Sequence, residues 1–458
     1  MTKNILSVVF AAVLLLCSLL PLAGLLVAGP SGPAANEILS VPPRLRTSGG
    51  HFNEAFLNDL SDYFGDHFAL RQELVTLWSQ LNTALLRSST NEQVVLGTDG
   101  WLYFADSLDD YRGRCLPEGA LLDTARDLRL IREALAAEGK DFLFVIAPNK
   151  NSLYGEHMSA RFVFSHEDST AVKLLPLLST EGVSTVDLFA AFSAQDETLY
   201  YRTDSHWNAR GAALAADTIL AKLDKPSGYF SLPFTRVEEH RGDLYEMLYP
   251  CGGRTETDLL PESEFDFVCL NNPNGGNAIS IGTEKAGGSG SLFCWRDSFG
   301  IALYPYLADS FGSAFFSRSA SYDLTRRELD RCDTVILEIV ERNLPQLWQS
   351  PAVYPAAARE ALPAGTSDSV CAAERLPLSR GLVRWSASLP ETVRDAGSEL
   401  YFTAGDLWYE AAVQASVESG TVTATACLPE GVAADGLVYS SGGGLIRCAI
   451  NTPSGGVA

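Results

Sequence analysis

FLFVIAPNK, Phe142 to Lys150, is the stretch that decides the fold. Apolar residues run without a break from Phe142 to Ala147 and stop at Pro148. A strand with no polar alternation is one buried on both faces, as in a parallel sheet covered by helices. Upstream, apolar Leu121, Ala125, Leu128, Ile131 and Leu135 recur at helical spacing over Leu121 to Ala137. Downstream the alternation continues: a helix near Ala171 to Leu178, a strand at Ser184 to Leu188 and a helix from about Ala209 to Leu223. The strand Ser291 to Trp295, a helix near Ile301 to Leu307 and the strand Thr334 to Val340 complete it. This order predicts an α/β domain with helices on both faces of a mostly parallel sheet. The domain opens at VVLGTDGWLYF, Val94 to Phe104, two short apolar runs around a Gly-Thr-Asp-Gly turn, which reads as a hairpin.

In such sheets ligands collect at the carboxyl ends of the strands. Three of these ends carry polar residues that an ordinary turn does not need: Asn149 and Lys150, then Asp297 and Ser298, then Glu341 and Arg342. Asn149, Lys150, Tyr154 and Arg342 are therefore candidates for binding substrate. Ser298, in WRDSFG, is the candidate nucleophile, and a hydroxyl needs a base that is itself oriented by a third group. Of the six histidines, His206 lies in YYRTDSHWN with Asp204 two residues before it. In an extended or turn segment these two side chains point the same way, so the carboxylate reaches one ring nitrogen and leaves the other free. Taken singly, each piece reads more often as a surface serine after an apolar strand or a histidine in a polar loop. His51 and His67 are read as ordinary surface or core residues.

The chain has 458 residues, 46% of them hydrophobic and 20% charged, enough for a packed core and more than one domain. A net charge of −22 repels phosphate backbones and excludes nucleic acid as a partner. Residues Ile5 to Ala28 carry no charge and are long enough to cross a bilayer, which predicts an uncleaved signal anchor over 1–30 and an extracytoplasmic remainder. Val27 to Gly29 offers the alternative of a cleavage site and secretion. A Gly/Pro/Ser-rich linker follows over 31–52, and then a helical stripe of Leu70, Leu74, Leu77, Trp78, Leu81 and Leu85 within a catalytic unit spanning 53–350. Eight of nine cysteines lie in the exported part; Cys251 with Cys269 and Cys427 with Cys448 are the nearest plausible disulfide pairs. No spacing suggests a metal site, and no cofactor is expected. From 367 to 458, six short β-like runs between turn residues predict a small antiparallel β-sandwich, with Trp385, Trp408 and Tyr409 read as core, and the chain closes in a disordered NTPSGGVA tail.

The blocks VVLGTDGWLYF, FVIAPNKNSLY, YYRTDSHWNARG, WRDSFG and VILEIVERNL, in this order, resemble the SGNH-hydrolase-like family of alginate O-acetyltransferases of the AlgX/AlgJ type and its DHHW relatives. The resemblance covers roughly Phe52 to Leu344, and the 92 positions from His206 to Ser298 match the family's spacing. It implies an SGNH-hydrolase-like, flavodoxin-like fold, circularly permuted so that the Asp-His block precedes the Ser block. Its nucleophile falls on Ser298, its base on His206 and its orienting acid on Asp204; Ser205 stands where the family's motif has a second His. It also implies extracytoplasmic O-acetylation of a cell-surface or secreted polysaccharide, with an MBOAT-type membrane protein donating acetyl. A carbohydrate acetylesterase with the same triad, or a non-catalytic anchored glycan-binding scaffold, are the alternatives.

Overall fold

The computed structural model describes residues 2–451 apart from 28, 35–36, 226, 263, 272–274, 320, 350–351 and 417–419. The tail expected to be disordered lies outside the described residues after Asn451. Helix α1, Thr2–Val27, covers the apolar N-terminal run. Among the described residues no helix is long and apolar enough to cross a membrane; many α1 side chains fall outside that set. Helices α2, Phe56–His67, and α3, Arg71–Leu86, follow.

The hairpin forms where the sequence places it, with β1, Val94–Leu96, antiparallel to β2, Leu102–Phe104. Its turn sets Asp99 and Gly100 at φ of 53° and 79°, the pair of positive angles that an Asp-Gly turn tolerates and that matches the twist of the flanking strands. The short α4, Leu108–Tyr111, and the long α5, Glu118–Ala137, lead into β3, Asp141–Ala147. Side chains of β3 alternate between two cores. Leu143, Val145 and Ala147 join one, with α9 (Ala209–Lys222) and α11 (Gly300–Ser310). Phe142, Phe144 and Ile146 join the other, with α5. Helices therefore cover both faces of the sheet, as continuous apolarity requires.

Between these helices lie α6, Lys150–Leu153, α7, Thr170–Thr180, and α8, Leu188–Ser193. A two-stranded ribbon, β4 (Phe234–His240) with β5 (Glu256–Pro261), brackets α10, Asp243–Leu248. Strands β6 (Phe267–Cys269), β7 (Ser280–Lys285), β8 (Ser291–Trp295), β9 (Ser313–Ser317) and β10 (Thr334–Val340) complete a six-stranded sheet in the order β3-β10-β8-β9-β7-β6. The pairs β3/β10, β10/β8 and β8/β9 are parallel, whereas β7 and β6 add antiparallel at the edge. The first three parallel strands end together, which delivers Asn149, Ser298 and Arg342 to one rim. The expected strand at Ser184 to Leu188 is reduced to a single parallel bridge between Thr185 and Phe144. Asp187 then caps α8, its Oδ1 accepting the Ala190 amide at 2.9 Å, so the chain turns into helix there.

Helix α12, Leu344–Gln349, leads to a nine-stranded C-terminal sheet. It is formed by β11 (Ala358–Glu360), β12 (Gly365–Pro377), β13 (Leu382–Pro390), β14 (Leu400–Ala404) and β15 (Leu407–Glu410), then β16 (Ala412–Ser416), β17 (Thr421–Pro429), β18 (Gly436–Ser441) and β19 (Gly444–Asn451). Its two halves, β11-β15-β14-β18-β19 and β13-β17-β16, share β12 and enclose one core, so the expected sandwich forms with a strand common to both layers. The 13-residue β12 pairs with β13 through its second half and, across a register shift, runs parallel to β19 through its first. One sheet thus curls over its own core, in which Trp385 and Tyr409 are buried. A buried ion pair, Arg394 Nη2 to Asp123 Oδ2 at 2.7 Å, ties this sheet to α5. None of the described cysteines is in a disulfide; Cys448 Sγ lies 2.8 Å from Cys371 Sγ, not beside Cys427.

Candidate active site

Ser298 sits in the turn between β8 and α11, where the chain must reverse from strand to helix within a few residues. Asp297 makes that turn rigid. Its Oδ1 accepts the Phe299 amide at 2.8 Å, and its Oδ2 accepts the Val340 amide at 2.7 Å and Asn343 Nδ2 at 3.2 Å. The nucleophile loop is thereby fastened to the end of β10. Gly300 opens α11 in contact with Arg296, where a Cβ would stand 2.5 Å from the arginine side chain. Ser298 itself is half-buried just before the positive end of an 11-residue helix.

His206 Nε2 lies 2.8 Å from Ser298 Oγ, and His206 Nδ1 lies 2.7 Å from Asp204 Oδ1. The tight loop also folds the His206 amide onto the same Asp204 oxygen at 2.9 Å. Asp204 is buried, and its second oxygen accepts His240 Nε2 at 3.0 Å and the Asp243 amide at 3.1 Å. Burial alone would push Asp204 up, but the charges and hydrogen bonds of His206 and His240 hold it well below the usual carboxylate range. Burial would likewise depress His206; the Asp204 carboxylate outweighs it and holds the imidazole above its ordinary value. A base with its proton-accepting nitrogen on the serine, and its other nitrogen fixed by a permanently charged acid, is what deprotonating a hydroxyl needs. Asp204, His206 and Asp243 bring ligating atoms within 4.8 Å of one another, a cluster the sequence reading did not anticipate. Their lone pairs are already committed: Asp243 accepts the Ser205 amide at 2.8 Å and the Ser205 hydroxyl at 2.7 Å.

The four residues singled out for substrate binding fare differently. The Arg342 guanidinium lies over the rings of Phe104 and Phe299, 5.1 and 5.3 Å from their centroids, and its charge bears on His206. It is the member of the four beside the triad. Asn149 is fully buried, donating from Nδ2 to Asp110 at 2.9 Å and accepting the Arg342 amide at 3.4 Å. Lys150 is buried beneath the triad loop, where Nζ donates to the carbonyls of Tyr201, Arg202 and Asp204 at 3.1, 3.1 and 2.5 Å. Burial brings its pKa down to about 8. Tyr154 accepts the Leu199 amide on its hydroxyl at 2.9 Å and packs on Trp101 and Tyr200. Asn149, Lys150 and Tyr154 therefore build the rim from behind, because a strand end carrying several polar groups must satisfy them internally once it is covered.

Two contributors were not read from the sequence. His240, in EEHRGD, stacks on Tyr201 with centroids 3.6 Å apart and donates to Asp204. Gly242 lets the chain pass Thr203, whose carbonyl oxygen would be 2.3 Å from any Cβ there, and so brings Asp243 against the triad loop. The only signal was local: a histidine and a Gly-Asp pair within a polar segment.

A groove of about 590 Å³ lies beside the hairpin, lined by Trp101, Tyr245, Tyr249, Arg87, Arg161 and Arg254 among others; neither Ser298 nor His206 lines it. None of these arginines has a carboxylate within 4.0 Å among the described residues, although Asp99 also borders the groove.

A serine, a histidine and an aspartate converging at the carboxyl rim of a helix-covered parallel sheet define an SGNH-hydrolase-like α/β domain. Residues 94–264 match the family model described as the SGNH hydrolase-like domain of the acetyltransferase AlgX. This part of the chain is similar to AlgX- and AlgJ-type proteins. Among curated relatives, the probable alginate O-acetylase AlgJ of Pseudomonas aeruginosa is 27% identical over 195 residues, covering 41% of this chain and 48% of that protein. AlgJ of Pseudomonas syringae pv. tomato is 28% identical over 194 residues, covering 41% and 49%. The chain thus spans about half the length of the curated relatives it matches. Among solved structures, a DHHW family protein from Eubacterium siraeum aligns with a TM-score of 0.44 at 18% identity, covering 58% of this chain and 97% of that one. The O-acetyltransferase domain of Pseudomonas putida AlgJ aligns with a TM-score of 0.38 at 20% identity, covering 55% and 92%.

Proposed function

We propose that this protein is an extracytoplasmic O-acetyltransferase that carries acetyl on Ser298 and passes it to hydroxyls of a cell-surface or secreted polysaccharide. The observation that carries the reading is the unbroken relay from Asp204 through His206 to Ser298, at 2.7 and 2.8 Å. Ser298 Oγ gives its proton to His206 Nε2 and bonds to the acetyl carbon, and the donor's leaving group departs with that proton. A sugar hydroxyl then gives its proton to His206 as its oxygen bonds to the acetyl carbon, the Ser298 Oγ–acetyl bond breaks, and His206 returns the proton to Ser298 Oγ. The positive end of α11 and the Arg342 guanidinium, which lies over the ring of neighbouring Phe299, supply the positive potential that stabilises the oxyanion in this reading.

The names of the matched relatives support the acetyl group and the polysaccharide acceptor. The charge-free run in α1 supports a membrane anchor, which holds the domain beside an MBOAT-type donor and raises its effective concentration there. The direct test is turnover of a chromogenic acetyl ester by the purified protein, with and without oligosaccharide. Ester cleavage lost in Ser298→Ala, with acetyl appearing on the sugar, is the expected result. Cleavage that survives Ser298→Ala removes the serine from the chemistry.

A further inference from the structure

Helix α3 is inverted. Hydroxyl side chains face the body: Thr76 and Ser79 are its buried residues, Thr76 Oγ1 accepting the Cys251 amide at 2.9 Å and Ser79 Oγ meeting Thr90 Oγ1 at 2.5 Å. One turn on, Thr83 Oγ1 accepts from the Tyr249 hydroxyl at 2.8 Å. The apolar stripe faces outward, with Leu74, Leu77, Trp78, Leu81 and Leu85 exposed at 39, 52, 62, 46 and 77%. Helix α2 has no buried residue, and it exposes Leu57, Leu60 and Phe64 at helical spacing. Leaving such stripes in water costs a soluble domain roughly 25 cal/mol per Å² of apolar surface.

What covers this face is indicated by where α1 joins it. Gly24 near the end of α1 lies against Ala69, where a Cβ would be 2.8 Å from that of the alanine. The chain just after α1 is then bound to the α2–α3 junction: the Ser31 amide donates to the His67 carbonyl at 3.3 Å, Ser31 Oγ accepts the Arg71 amide at 3.3 Å, and Gln72 Nε2 donates to the Gly32 carbonyl at 2.9 Å. Helix α1 also leaves Val8, Phe10, Leu14 and Leu19 exposed. The outward stripe carries no charge, and Trp78 is of the type that settles at a bilayer interface. We propose that the exposed face of α2 and α3 lies on the lipid bilayer beside the exit point of α1, fixing how far the catalytic rim stands from the membrane. This rests on the membrane-anchored reading above. With the chain's net charge of −22, the contact is made by apolar burial in the interface and not by attraction to anionic headgroups.

The seven tryptophans provide the test, because Trp78 is 62% exposed while the other six are at most 6% exposed. The full chain is reconstituted into phosphatidylcholine vesicles whose acyl chains carry bromine either near the headgroup or near the chain end. Headgroup-proximal bromine should quench a component of the fluorescence that Trp78→Phe removes, and chain-end bromine should quench it less. Equal quenching of wild type and Trp78→Phe would overturn the proposal, as would self-association that protects Trp78 in detergent and in vesicles alike, which would assign the face to a second copy. Flotation of the vesicles reports anchoring separately, and acetyl-ester turnover reports the catalytic reading separately. A protein that floats and turns over ester but shows no Trp78 quenching would therefore sink this inference alone.

Discussion

His206 is held above its ordinary value while it must be neutral to accept a proton, so turnover should rise with pH through a pKa above about 6.5. Asp204→Asn removes the charge responsible, and this limb should then move to lower pH. The same variant should fold and lose about 10⁴-fold in rate, the size of the effect when the acid of a serine protease triad is neutralised. An unchanged rate in a steady-state ester assay would make Asp204 a turn residue only. His240→Ala removes one hydrogen bond to the charged Asp204 and should cost on the order of tenfold in kcat, or about 1.4 kcal/mol. Lys150→Ala takes the donor from the Tyr201 and Asp204 carbonyls beneath the triad loop, while the Arg202 carbonyl keeps the Leu102 amide, so denaturant titration should show a loss of about 3 kcal/mol. At this scale the contact of Asp204, His206 and Ser298 was legible through the resemblance, which put all three on its motifs, since each piece alone reads as ordinary. The tasks of Lys150 and His240 were not, since both depend on contacts across more than 30 positions of sequence.

At the scale of elements, the rim is fastened by acids buried between strand ends. Glu341 accepts the Asn149 amide at 3.0 Å, Ser152 Oγ at 2.6 Å and His166 Nε2 at 2.6 Å, and Asp110 meets Asn149 beside it. Burial and then the charge of Glu341 push Asp110 up to about 8. A carboxyl raised in the folded state binds a proton that the unfolded chain releases. Its contribution is complete below the unfolded value near 3.9 and is lost as pH rises through about 8. Asp110→Asn, which cannot ionise, should therefore flatten the fall in stability between pH 5 and 8 seen by denaturant titration. Gly242→Ala should displace α10 and Asp243 from the triad loop and lower turnover, with a stability cost of about 1–3 kcal/mol. Strands such as Phe142 to Ala147 were legible because burial on both faces leaves an unbroken apolar run. The antiparallel strands β6 and β7 were not, since Ser280–Lys285 mixes Gly, Thr, Glu and Lys. The α3 stripe was legible as a helix, but periodicity does not say which side of it faces the body.

For the molecule as a whole, the α/β core, the rim and the separate C-terminal β unit could be read in advance. The curl of that unit could not, because the parallel seam between β12 and β19 joins positions about 80 residues apart. The full-length protein should sediment with membranes and resist high salt, since an apolar helix binds by burial and not by charge; a soluble form starting near Gly29 would instead mark a cleaved leader. An anchored domain outside the cytoplasm lacks a soluble acetyl carrier, which is why an acetyl group held on Ser298 between donor and sugar is the centre of the proposal. Peptide mass analysis of protein quenched during turnover of an acetyl ester tests it most directly. The expected result is one added acetyl on the peptide containing Ser298, diminished when acceptor oligosaccharide is supplied and matched by acetylated sugar. Ester turnover with no acetyl on Ser298, or an acetyl-Ser298 that discharges only to water whatever acceptor is present, would contradict it.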